Sequence, residues 1–186
     1  MIDYIVECCA PTLAQLKVAN LFSYPYVAIH QLQQELMNVN EILNKVNVFA
    51  ELLKLGDKRA LIYIYEKEKL SEVLSSCEVK CFLQDMGYQM RNLETCLSSL
   101  KRRLMTHDEF PHEIGFFLGY PYEDVIGFIE HHGKEYLYKG YWKVYGHLDE
   151  TKKLFQLYSR CKEEYRLKYE QGQTLQELLM NLYKSR

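Results

Sequence analysis

The sequence has no apolar run approaching the roughly 20 residues that a membrane-spanning helix needs, so no membrane association is expected. It has no basic excess either. A net charge of -2, from 23 Lys and Arg against 25 Asp and Glu, argues against a general attraction to nucleic acid or anionic lipid. No Cys-x-x-Cys pair occurs. Cys77 and Cys81 stand one helical turn apart, but no second pair of metal-ligand spacing accompanies them, which argues against a zinc ribbon. Neither a phosphate-cradling glycine loop nor a His-Glu-x-x-His pair is present. The opening residues show no basic, apolar and small-residue succession of the kind that marks export. A cytoplasmic location is therefore expected, with Cys8, Cys9, Cys77, Cys81, Cys96 and Cys161 as free thiols.

What is present is a chain of 186 residues with 48% hydrophobic and 26% charged residues, enough for a core of its own. There are no repeats, low-complexity runs or linkers, and a single domain over residues 1–186 is expected. Aromatics are weighted toward tyrosine, with 16 Tyr and 8 Phe against one Trp. Tyrosine carries an apolar body and a polar tip, which suits core edges and ligand clefts alike.

Periodicity assigns the elements. Residues 1–18 read as helical with a break and restart at Pro11, and Ala19 to Tyr24 as a short strand. Ile29, Leu32, Leu36, Val39 and Leu43 recur at helical spacing. Val46 to Leu52 and Ala60 to Ile64 alternate as strands, and Gly56-Asp57 between them suggests a type II′ hairpin. Residues 67–104 read as helices, with Lys101, Arg102 and Arg103 at a solvated end. Glu113 to Tyr120 reads as a strand, and Pro121 opens a helix with Glu123 and Asp124 in its first turn. Tyr136 to Tyr145 reads as one or two strands around Gly140. A long helix follows from about Asp149 to Gln171, with Gly172 as its cap. Thr174 and Glu177 have capping-box spacing for a last helix. The expected fold is α+β or mixed α/β: a central mixed sheet of about four to six strands including a hairpin, with helices packed on it.

Three segments are less generic: Cys9-Ala10-Pro11-Thr12-Leu13, Phe110-Pro111-His112-Glu113-Ile114-Gly115 with Phe117-Leu118-Gly119-Tyr120-Pro121, and Gly140-Tyr141-Trp142-Lys143-Val144-Tyr145-Gly146. Glu123 to Ile129 joins the last two. In these motifs and their order the whole chain resembles a bacterial domain-of-unknown-function family of about this length. That resemblance implies no established activity.

Four places could carry chemistry. Cys9 would lie just before a helix starting at Pro11, where unpaired N–H groups stabilise a thiolate, with His112 as base and Glu113 or Asp108 to orient it. The competing reading is a cysteine packed as a small hydrophobe. His107, Asp108, Glu109, His112 and Glu113, with Glu130, His131 and His132, concentrate metal-type ligands without a metal spacing. The bland reading there is a polar loop turned by Pro111. The turn Gly119 to Asp124 enters a helix, but its two carboxylates would repel a phosphate. In Gly140 to Gly146, alternation puts Tyr141, Lys143 and Tyr145 on one strand face and Trp142 and Val144 on the other. The first face could hold an anionic or aromatic ligand, or could simply face solvent.

Aromatic and basic residues together also suit single-stranded nucleic acid, but no basic stripe supports that. The preferred expectation is a ligand-binding or regulatory protein with a small-molecule cleft lined by His112, Tyr120, Tyr141 and Lys143. The alternative is a cysteine-dependent enzyme or redox protein using Cys9 with His112. A third is a metal-dependent protein using His112, Glu113 and the carboxylates at 108 and 109. Composition and spacing name no cofactor and no oligomeric state.

Overall fold

A computed structural model describes residues 1–106 and 109–184. The architecture is mixed α+β, and the chain divides into two compact units. The first comprises residues 1–68 and 158–186, the second residues 69–157.

The first unit is built on a three-stranded antiparallel sheet of β1 (Ala19–Pro25), β2 (Val48–Leu55) and β3 (Arg59–Glu66), in the order β1-β3-β2. Helices α1 (Ile2–Leu13) and α2 (Ile29–Leu43) supply its apolar layer. Ile5, Cys9 and Leu13 on α1 and Leu32, Val39 and Leu43 on α2 meet Ile62 and Ile64 of the central strand. On the other face of β3, Tyr63 and Tyr65 stack in a row with Phe49. β3 is thus buried on both sides, as befits the strand with two neighbours. β2 carries an extra residue, Leu53, where Leu52 pairs with Ile62 and Lys54 with Leu61.

The second unit contains α4 (Cys77–Asp85), α5 (Leu93–Thr106), α6 (Ile114–Phe117), α7 (Tyr122–Glu130) and a two-stranded hairpin of β4 (Tyr138–Lys139) and β5 (Lys143–Val144). α3 (Lys67–Ser75) leads into it from the first unit, and α8 (Leu148–Glu170) leaves it for the first. α9 (Leu175–Lys184) ends the described chain. Its start is capped as the spacing predicts: Thr174 N–H donates to the Glu177 carboxylate, and Glu177 N–H donates to Thr174 Oγ1.

Several expectations need correction. The sheet of four to six mixed strands is instead a three-stranded antiparallel sheet and a separate two-stranded one among the described residues. Glu113 to Tyr120 is not a strand. Ile114–Phe117 is a short helix closed by Gly119 at φ 71, with Tyr120 N–H bonded to the Gly115 carbonyl and Gly119 N–H to that of Phe116. A short apolar run buried on all sides has no face to count, so periodicity could not separate helix from strand there. α1 runs through Pro11 without restarting. The buried stripe Ile5, Cys9 and Leu13 holds the helix across Pro11, which forgoes one hydrogen bond and crowds the preceding turn. The β2–β3 turn is not type II′, because Gly56 lies outside the left-handed residues.

Candidate functional site

The second unit holds a cavity of about 310 Å³ between α6, α7 and the β4–β5 hairpin. His112, Tyr120, Tyr141 and Lys143 all line it. Phe110, Phe128 and Trp142 complete much of the wall, and Lys139 stands at the hairpin.

The hairpin is placed by one carboxylate. Asp124, in the first turn of α7, is only 2% exposed. Its Oδ2 accepts from the Trp142 indole Nε1 at 2.7 Å, and its Oδ1 accepts from the backbone N–H of Tyr145 at 2.6 Å and of Gly146 at 3.0 Å. Three donors desolvate together with the charge that satisfies them. Trp142 is sandwiched in turn, stacked on Tyr120 with ring centroids 4.5 Å apart and edge-on to Phe155 at the same distance. Close approach is required at both flanking glycines. A Cβ on Gly140 would come within 2.2 Å of the Phe155 ring, and one on Gly127 within 2.5 Å of Tyr145.

Burial alternates along this segment, with Trp142 and Val144 buried, Lys143 and Tyr145 half-buried and Tyr141 exposed, although only Lys143–Val144 is strand and Trp142 lines the cavity beside Tyr141 and Lys143. The Lys143 ammonium donates to the Gly133 carbonyl at 2.6 Å and lies over the rings of Phe128 and Tyr136, 5.3 and 5.0 Å from their centroids. Two rings and a carbonyl fix its position without cancelling its charge. His112 is exposed and meets Phe128 edge-on at 4.9 Å. Burial pushes the Tyr120 hydroxyl up to about 12, so it remains a neutral phenol. Among the described residues Asp124 is the sole carboxylate in the lining, against the ammonium groups of Lys139 and Lys143.

The residues expected to act with Cys9 are differently placed. Cys9 belongs to the first unit and His112 to the second. Cys9 sits inside α1 with no exposed surface, not ahead of a helix N-terminus. Burial, with a further rise from Cys8, pushes its thiol well above the ordinary value, the opposite of an activated thiolate. Glu113 is buried and accepts from the Tyr88 hydroxyl at 2.9 Å and from Arg103 Nε. Arg103, expected at a solvated helix end, is thus the partner of a buried acid. Of the expected metal cluster, His107 and Asp108 lie outside the described residues. Among the described residues no three His, Cys, Asp or Glu side chains converge. His131 pairs with Glu135 at 2.8 Å and stacks on Tyr145.

Sequence reasoning missed Asp124, Phe128, the Gly133 carbonyl and Tyr136. Asp124 read as a helix-start acid, which it also is. The one usable signal was the lone tryptophan, whose indole N–H needs an acceptor when buried.

The arrangement defines a small α+β protein with an aromatic, cation-bearing cavity. The chain belongs to the family described as Protein of unknown function (DUF3793), which matches residues 5–179. No curated protein and no solved structure matches it. Among the described residues no helix is long and apolar enough to cross a membrane.

Proposed function

We propose that this protein binds a small, planar, negatively charged molecule in the cavity between α7 and the β4–β5 hairpin. The observation that carries this reading is the charge balance of the lining. Among the described residues its single carboxylate, Asp124, is engaged by three N–H donors, while the Lys143 ammonium is held in place by neutral groups. The aromatic walls supply stacking surface, and Lys143 with Lys139 supplies the positive field. A volume of about 310 Å³ lies at the low end of the roughly 300–1,000 Å³ of small-molecule sites, which selects a compact ligand. The role is binding or regulatory. It rests on the cavity and not on Cys9, whose thiol is buried and protonated.

Trp142 is the only tryptophan and lines the cavity, so its fluorescence reports occupancy directly. The probes are naphthalene-2-carboxylate and its uncharged amide. A saturable change in Trp142 emission with the carboxylate, weaker with the amide and weakened by Lys143→Met, is the expected result. No saturable change with either probe, or equal binding of the amide, would overturn the reading.

A further inference from the structure

We propose that Cys77 and Cys81 form a two-thiolate capture site for a soft, thiophilic centre, outside the cavity and on the exposed side of α4. Cys77 opens α4 and Cys81 follows one turn later, so the two side chains share a face. Val79 and Leu83 turn the other way, into the protein. Both cysteines are exposed, whereas Cys9, Cys96 and Cys161 are buried and Cys8 is half-buried. Cys77, more than any other group, raises the Cys81 thiol above its ordinary value, so the two side chains interact. Lys80 beside them favours the thiolate, and Asp85 opposes it.

Geometry selects what the pair can hold. Residues one turn apart on a helix keep their Cβ atoms about 5–6 Å apart. A disulfide needs about 3.5–4.5 Å, so direct oxidation would distort the helix. A bridging atom bonded to both sulfurs spans the larger gap. Zinc requires four ligands, and among the described residues no cluster of three exists. A soft centre satisfied by two thiolates fits the number, the softness and the exposure of this pair.

Phenylarsine oxide is a probe whose chemistry closes without an oxidant. The two S–H bonds and the As=O bond break, two S–As bonds form, the oxygen leaves with both protons as water, and arsenic stays trivalent. Native protein treated with it and read by intact mass spectrometry should carry one phenylarsenic group, with loss of one water. Cys77 and Cys81 should become protected from iodoacetamide together. Cys77→Ser and Cys81→Ser should each abolish the adduct while leaving thermal melting unchanged, since both side chains are exposed. Protection of one cysteine alone, an adduct that survives in either variant, or an adduct mapped to another cysteine would overturn the proposal.

Discussion

The indole N–H of Trp142 and the carboxylate of Asp124, both buried residues, meet at 2.7 Å. That contact ties a residue of α7 to a hairpin 18 positions further along the chain, and it sets one wall of the cavity. Asp124→Ala would leave the Trp142 indole and the N–H groups of Tyr145 and Gly146 without their acceptor. The expected cost is roughly 2–4 kcal/mol. Thermal melting should show it, with a change in Trp142 emission as the hairpin loosens. A variant with wild-type melting and emission would mean the latch contributes nothing.

Lys143 should govern affinity more than fold. Its ammonium bonds one carbonyl and faces two rings, so Lys143→Met keeps much of the packing and removes the charge. Affinity for naphthalene-2-carboxylate is expected to fall at least about tenfold, roughly 1.4 kcal/mol, with less effect on its amide. Isothermal titration of both probes on both proteins measures the difference.

Gly140→Ala should destabilise the hairpin, because the new Cβ would lie 2.2 Å from Phe155 Cε2 and 2.3 Å from its Cδ2. Neither the ring nor the backbone can yield without disturbing Trp142, which packs edge-on to the same ring. A loss of about 1–3 kcal/mol is expected from denaturant unfolding. Gly172→Ala tests a different cause. Space is open there, and only the φ of 91 is strained.

Thiol reactivity should divide by burial. Burial pushes Cys96 and Cys161 up to about 12 and holds Cys9 well above its ordinary value. At about pH 8, near the reference thiol value, iodoacetamide should label Cys77 and Cys81 first and leave those three intact in the folded protein. Labelling is read cysteine by cysteine by mass spectrometry. Fast reaction of Cys9 under these conditions would return it to consideration as a nucleophile.

Lys17 gives a pH dependence with a definite sign. It is 5% exposed, and burial lowers it from 10.5 to about 8, with Cys9 acting weakly the other way. Between these values the unfolded chain holds the proton and the folded chain has lost it. Lys17 therefore adds stability as pH rises through this window, and its cost is fully present below about 8. Measured against Lys17→Met, wild type should gain roughly 3 kcal/mol between the two ends of the window. The difference between the proteins cancels the titration of the groups common to both, apart from Cys9, which interacts with Lys17. A flat difference would show that Lys17 keeps its ordinary affinity for the proton.

Much of the fold was legible because it rests on local rules. The α2 stripe, the alternation of β3, the Gly172 cap and the Thr174–Glu177 capping box each depend on residues within a few positions of one another. Helical spacing predicts Leu154, Tyr158, Cys161, Tyr165 and Tyr169 as the buried stripe of α8; Tyr158, Cys161 and Tyr165 are buried, Leu154 and Tyr169 half-buried, and Phe155, outside that stripe, is buried too. The failures were equally physical. Ile114–Phe117 had no polar face to reveal its period, and Pro11 read as a helix start although tertiary burial carries α1 across it.

The site divides along the same line. Sequence alternation singled out Tyr141 and Lys143 and set them apart from Trp142 and Val144, but only Lys143–Val144 is strand, and Tyr141, Trp142 and Lys143 line the same cavity. It also singled out His112 and Tyr120 as residues of interest. Only the tertiary structure decided that these four line one cavity, that Glu113 belongs to Tyr88 and Arg103, and that Asp124 holds the hairpin. A carboxylate's partner is whichever donor the fold leaves desolvated beside it. That depends on contacts between residues distant in the chain, which no local pattern encodes.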